Sequence, residues 1–238
     1  MNSNPFDHDM TLNGGYLYTR TERLSSQVAN QRLTNHTIST LDLKNKKVID
    51  IGCGDGVYTR ALSEKCHPRL MIGTDISKKA TNFAQDKFGK NGKIEFYYHD
   101  IYTLSKKFKD FDIAIVRGVL HHLDQPERAI CEISKITNEI FIIEPNGYNL
   151  LLKLIERLSP YHRAHGEKSY PPLIIHKWLK INKFRIVNSA YIGLVPFFAP
   201  DWIVTLAKKM ELIVENIPVI SGLCCAVNCI YGKKEGNN

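Results

Sequence analysis

The sequence predicts an α/β fold built on an open, mostly parallel, doubly wound sheet. Two observations carry this. Five short apolar runs lie between positions 47 and 143, each about the length of a strand. The segments between them place apolar residues at helical spacing, and strands that alternate with helices make a parallel sheet covered on both faces. A third observation points to the sheet's use. The first run opens into a glycine-rich turn, and three successive runs end in acids, at Asp50, Asp75 and Asp100. Ligands of such sheets bind at the carboxyl ends of the strands.

The elements follow in order. Residues 1–19 are polar and read as an arm; residues 21–38 read as a helix with Leu24, Val28 and Leu33 on one side. Strands are expected at 47–51, 69–74, 93–99, 111–116 and 139–143. A helix is expected at 57–66. Ser77 caps a second one, whose Ala80, Phe83, Ala84 and Phe88 share a face. Pro126 opens a third, with Ala129, Ile130, Ile133 and Ile136 as its buried stripe. After Pro145 the rhythm changes. An amphipathic helix is expected at 148–158, then a loop rich in His and Tyr to 172, a helix reaching 184 and a strand at 185–192. Residues 201–216 read as an amphipathic helix with Ile203, Leu206, Ala207, Met210, Ile213 and Val214 together, and 223–231 as the last strand. These later apolar stripes are expected to pack into the core.

Composition limits the function classes. A chain of 238 residues, 43% hydrophobic, suits one large domain. The organisation expected is an N-terminal arm and lid helix over 1–38 and one domain over 39–238, with substrate-side insertions at 148–172 and 194–222. Thirty-two basic residues against 24 acidic ones give a net charge of +8. They are spread along the chain, which fits a solvated basic surface and permits an anionic partner without requiring one. The six cysteines include no CxxC pair, no metal site is expected, and their use fits a reducing compartment. Cys224, Cys225 and Cys229 read as buried small hydrophobes. No signal peptide is read at the N-terminus, and the longest uncharged run, 216–232, is broken by Pro218 and Gly222. A cytoplasmic protein is expected, with no transmembrane segment and peripheral membrane contact left open.

The glycine turn, VIDIGCGDG at 48–56, separates two kinds of nucleotide-like ligand. A dinucleotide turn wants G-x-G-x-x-G. Gly52 and Gly54 fit, but Val57 stands where the third glycine belongs, one residue after Gly56. Asp50 would repel a pyrophosphate approaching this turn and would attract an ammonium group. Asp75 lies 21 residues beyond Gly54, where an acid can take both ribose hydroxyls. S-adenosylmethionine combines an adenosine with an ammonium and carries no phosphate.

With these residues in view, positions 47–145 resemble a class I S-adenosylmethionine-dependent methyltransferase of the small-molecule type. The matching pieces are VIDIGCGDG, GTDIS, HDI at 99–101, FDIAIVRGVLHHLDQPERAI and IFIIEP. The resemblance implies a Rossmann-like sheet of seven strands whose last is antiparallel. It implies S-adenosylmethionine as cofactor, with Asp50, Gly52 and Gly54 at the methionine part. Asp75 would take the ribose, with Ile76 against the adenine and Asp100 and Ile101 at its edge. Arg117 and Gly118 would line the methionyl side.

Methyl transfer from a sulfonium needs alignment above all, and a hydroxyl acceptor also needs a base. RGVLHHL supplies His121 as the first candidate and His122 as the second. Glu144, after the fifth strand, reads either as a substrate contact or as a solvated strand end. The substrate side is expected to use Tyr16, Tyr18 and Arg20 of the arm, which could close as a lid, together with Tyr161, His162 and Trp202. The function expected is O-methylation of a small molecule, a glycan precursor or a lipid-like acceptor. The alternatives are an RNA methyltransferase, disfavoured because no RNA-binding appendage is recognisable, and a binding module that keeps the fold without catalysis.

Overall fold

The structure is a computed structural model that describes residues 19, 23–89, 92–158, 168–195 and 199–235. In chain order the elements are α1 (Leu24–Thr40), β1 (Lys47–Ile51), α2 (Val57–Cys66), β2 (Leu70–Asp75), α3 (Lys78–Phe88), β3 (Ile94–Tyr98), β4 (Phe111–Arg117), α4 (Pro126–Ser134) and β5 (Thr137–Pro145). They continue with α5 (Leu150–Leu158), α6 (Pro172–Ile181), β6 (Phe184–Ile192), α7 (Asp201–Glu215), α8 (Pro218–Cys224) and β7 (Val227–Lys234). Two 3-10 turns, Ile101–Lys106 and Leu120–His122, follow β3 and β4.

The strands form one seven-stranded sheet in the order β3-β2-β1-β4-β5-β7-β6. β7 runs antiparallel to both neighbours, so the other six strands share one direction. The sheet has two cores because strand side chains alternate between faces. Ile49, Ile72, Ala114, Ile140 and Ile230 point to one face, where Ile130 and Ile133 of α4 and Leu179 of α6 cover them. Val48, Met71, Ile113, Phe141 and Cys229 point to the other, under Leu33 of α1 and Leu62 of α2. The register that pairs Val48 with Met71 and Ile113 keeps both sets in place. A slip of one residue would exchange the two faces.

The sheet order reverses between β1 and β4, which are direct neighbours. The turn after β1 and the turn after β4 therefore flank the crevice where this architecture takes its ligands. Local chemistry fixes the surrounding elements. The Ser77 hydroxyl accepts the Ala80 N–H at 3.1 Å and starts α3, and Pro126 sits in the first turn of α4.

Three expectations need correction. The last strand begins at Val227 rather than 223, because Pro218 opens the short helix α8 before it. Cys225 and Cys229 are buried as expected, but Cys224 is exposed. The larger correction concerns the apolar stripes of the later helices. On α7 the buried side chains are Val204 and Glu211, while Leu206, Met210 and Ile213 are exposed. On α5 no residue is buried, and Leu150, Leu151, Leu154, Ile155 and Leu158 are all exposed. Polar anchors explain the inversion. Arg32 of α1 clasps Glu215 with Nε 3.1 Å from both carboxylate oxygens, and it lies 4.0 Å from Glu211. Glu215 also accepts the Gly193 N–H at 2.9 Å, and Glu211 the Leu194 N–H at 3.0 Å. These bonds hold Glu211 and Glu215 inward beside Val204, with Ile203, Ala207 and Val214 half-buried, and they leave Leu206, Met210 and Ile213 outside.

Candidate active site

The glycine turn follows β1, where Asp50 is almost wholly buried, at 1% exposure. The Thr59 hydroxyl of α2 donates to it at 2.5 Å. Burial pushes the Asp50 carboxyl up to about 6, against the opposing pull of Thr59 and of the Arg117 guanidinium. The turn itself is tightly packed: at Gly52 φ is +73°, and a Cβ there would stand 2.2 Å from Val119 Cγ2. At the end of β2 the two oxygens of Asp75 accept the Gly54 N–H at 2.9 Å and the Ser77 N–H at 2.8 Å. The glycine turn and the start of α3 thus hold one carboxylate between them. Ile76, next in the chain, is 43% exposed, an apolar surface beside that acid.

Across the crevice, Glu144 at the end of β5 is 1% exposed, which removes the reading of a solvated strand end. Its Oε1 accepts the Val119 N–H at 2.7 Å and the Leu120 N–H at 2.8 Å, and its Oε2 accepts the His121 N–H at 3.3 Å. The same Oε2 lies 2.8 Å from His121 Nδ1. A carboxylate only accepts, so the ring proton sits on Nδ1 and the neutral imidazole carries its basic lone pair on Nε2. His121 is 8% exposed, and its Cε1 lies 3.7 Å from where a Cβ on Gly118 would be. The ring therefore stands at the carboxyl end of β4. The His122 ring lies against it, with centroids 3.9 Å apart.

The remaining expected residues divide. Arg117 turns toward α1 and α2: it donates to Asn30 Oδ1 and stacks over the Tyr58 ring at 4.2 Å. Burial lowers its pKa, opposed by the charges of Tyr58 and Asp50. Asp100 caps the 3-10 turn by accepting the Tyr102 N–H at 2.9 Å, and its neighbour Ile101 is buried in the core. Trp202 is 70% exposed on α7. Tyr16, Tyr18, Arg20, Tyr161 and His162 lie outside the described residues. From the arm, Thr19 donates its hydroxyl to Asp55 in the glycine turn. Among the described residues no group of three or more His, Cys, Asp or Glu could hold a metal ion.

Two features went unread in the sequence. One is Glu144 as the partner of His121; its signal was an acid closing a fully apolar strand, IFIIE. The other is the pair Asn146 and Asn149. Asn146 Nδ2 donates to the Gly222 and Cys225 carbonyls at 2.8 and 3.0 Å, and Asn149 Nδ2 to the Cys224 and Cys225 carbonyls at 3.1 and 3.2 Å. They tie the segment after β5 to the end of α8. The Lys168 N–H donates to the His121 carbonyl at 3.2 Å, so the chain entering α6 also borders the histidine.

Comparison with known proteins gives a consistent picture. Residues 49–140 match the family model described as a methyltransferase domain. The ubiquinone biosynthesis O-methyltransferase of Coxiella burnetii is 31% identical over 108 residues, which cover 45% of this chain and 43% of that relative. The match thus spans less than half of that protein. Among solved structures, a SAM-dependent methyltransferase from Archaeoglobus fulgidus aligns over 98% of this chain and 100% of its own, with a TM-score of 0.63 and 19% identity. The magnesium protoporphyrin IX methyltransferase of Synechocystis, solved with bound SAM, aligns over 98% and 93%, with a TM-score of 0.62 and 17% identity. At those identities the structural likeness is one of fold.

Proposed function

We propose that this chain, whose residues 49–140 match a methyltransferase-domain model, moves a methyl group from S-adenosylmethionine to a hydroxyl of a small or lipid-like acceptor. The observation that carries this reading is the Glu144–His121 pair across the crevice from Asp50 and Asp75. The residues present fit the cofactor. The buried Asp50 carboxylate, raised to about 6 chiefly by its burial, suits an ammonium group. Asp75, oriented by two backbone N–H groups, suits the paired hydroxyls of a ribose. The exposed side chain of Ile76 beside it suits the face of a purine. When bound, the cofactor supplies a methyl group already activated on a sulfonium, ready for direct displacement.

The chain's own residues supply the rest. His121 takes the acceptor's hydroxyl proton on Nε2, the nitrogen opposite the Glu144 contact. Glu144 fixes the tautomer and stabilises the imidazolium that forms, the role a buried carboxylate plays toward a catalytic histidine elsewhere. Three backbone N–H bonds hold Glu144 so that the ring cannot turn away. A base held this way contributes roughly 10²–10⁴-fold. Similarity to an O-methyltransferase over 108 residues supports oxygen as the acceptor atom.

Calorimetry with S-adenosylhomocysteine tests the cofactor. Saturable binding is expected for the wild type. Asp75→Ala should bind about 10- to 100-fold more weakly, the worth of charge-assisted hydrogen bonds. A wild type that takes up no S-adenosylhomocysteine, or an Asp75→Ala protein that binds it unchanged, overturns the assignment.

A further inference from the structure

We propose that α5, α7 and α8 form a docking face for an anionic lipid bilayer. The first ground is that two of these helices hold ion-paired side chains toward the protein and leave large apolar side chains outside. On α5 the half-buried side chains are Leu152 and an ion pair: Lys153 Nζ lies 3.1 Å from Glu156 and donates to the Ser169 carbonyl at 2.6 Å, and Glu156 accepts the Ser169 N–H at 3.1 Å. The side turned outward is leucine, with Leu151 at 61% exposure, Leu154 at 52% and Leu158 at 67%. On α7 both glutamates turn inward to Arg32, and Trp202 and Leu206 turn outward at 70% and 57%. A helix that commits its ion pairs to the protein and leaves several large apolar side chains outside presents an apolar strip to its outer neighbour.

The second ground is continuity. α8 packs against both α5 and α7, and it exposes Val219 and Leu223. Asn146 and Asn149 bond its end to the segment that leads into α5. The three helices are thus packed together, and each leaves large apolar side chains exposed.

The third ground selects the occupant. The charges left outside on these helices are mostly basic: Arg157, Lys208 and Lys209 are exposed, against one exposed carboxylate, Asp201. Cations flanking leucines, with a tryptophan at the rim, match an anionic headgroup layer over acyl chains. A second copy of the chain would bring like charges together. No helix among the described residues is long and apolar enough to cross a membrane, so the face would lie on the bilayer. α5 begins just after β5, whose Glu144 holds His121. Docking would turn that end of the sheet toward lipid, so that an acceptor dissolved in the bilayer could reach it; this consequence alone rests on the methyl-transfer reading.

Flotation of the full chain with vesicles tests the proposal without any activity measurement. Vesicles of equal phosphatidylcholine and phosphatidylglycerol should carry the wild type, and pure phosphatidylcholine should carry much less. Added salt should release it. Leu151→Gln/Leu154→Gln/Leu158→Gln should lower partitioning about 100-fold, since each leucine loses its burial in lipid. Lys208→Gln/Lys209→Gln should lower it about 30-fold, from two cations at about 1 kcal/mol each. Circular dichroism and melting of both variants should match the wild type, and Trp202 emission should shift to the blue on binding. Wild type that stays with the soluble fraction in both vesicle types overturns the proposal. So does a leucine variant that floats like the wild type, or a wild-type dimer in solution that the leucine substitutions convert to monomer.

Discussion

The two halves of this chain use the same residues in opposite ways. Between positions 47 and 145, apolar side chains point inward and acids gather at one edge of the sheet. Between 146 and 224, α5 and α7 turn their ion pairs inward and their leucines outward. Helical periodicity is clear in both. It reveals that a helix has two faces, but the partner decides which face is inside. In the first half the partner is a sheet of isoleucines and valines. In the second it is a set of fixed polar groups, Arg32, Ser169 and the backbone at Gly193, and they claim the charged side.

If the first half is the catalytic one, its sharpest test is Glu144→Gln. The amide can satisfy Val119 and Leu120 with its oxygen, but its NH₂ then faces His121 Nδ1. That reverses the tautomer and places a proton on Nε2, where the base needs its lone pair. We expect kcat to fall on the order of 10³-fold, with affinity for S-adenosylhomocysteine retained. Glu144→Asp, still a carboxylate, should recover part of the loss. A rate within about threefold of wild type would leave Glu144 as no more than a cap for the 3-10 turn.

The halves should also differ in how they tolerate a methyl group. Gly52 and Gly193 both have positive φ, +73° and +80°. Alanine at Gly52 meets Val119 Cγ2 at 2.2 Å, whereas at Gly193 nothing among the described residues lies within 4 Å. Gly52→Ala should cost about 2–5 kcal/mol, backbone strain and overpacking together. Gly193→Ala should cost about 1–2 kcal/mol, from strain alone. Denaturant titration of both variants measures the difference, and equal costs would mean that the first half yields as readily as the second.

The fold was legible because the signals of the first half are redundant. The turn glycines, the Ser77 cap, Pro126 and five apolar strands each pointed to the same sheet. The positions of Asp50 and Asp75 at strand ends were legible for the same reason. The pairing of Glu144 with His121 was not, because it joins residues 23 apart through neighbouring strands and no local pattern encodes it. Arg117 was read as lining the ligand site; its contacts with Tyr58 and Asn30, on elements far away in the chain, were not legible from its position. α8 was missed because the β-branched residues of PVISGLC suit a strand as well as a helix.

Asp50 offers a test of intermediate size, because stability and binding should respond to pH with opposite signs. Its carboxyl is raised from 3.8 to about 6, with burial the main cause. A folded-state value above the unfolded one gives stability that is full below 3.8 and lost as pH rises through about 6. The shift is worth roughly 3 kcal/mol at neutral pH. Asp50→Asn should therefore melt no lower than wild type at pH 7.5. A cationic ligand needs the ionised form, so wild-type affinity for S-adenosylhomocysteine should weaken about tenfold from pH 7 to pH 5. Asp50→Asn should bind weakly at both. Affinity that stays level across this range in the wild type would remove Asp50 from the ligand's charge balance.

The smallest expected effect bears most directly on the contrast between the halves. Leu104, 0% exposed beneath the sheet, should cost about 2–5 kcal/mol as alanine, from lost burial and the cavity left behind. Leu154 and Leu206, at 52% and 57% exposure, are already in contact with solvent over much of their surface. Replacing either with glutamine removes little that folding buries. Each should change the unfolding free energy by no more than about 0.5 kcal/mol. Glutamine also keeps the helix propensity of leucine nearly intact, so any larger effect must come from contacts. A loss above about 1 kcal/mol would mean that these leucines are buried in the folded chain, and the inverted helices would then be ordinary ones with their cover in place.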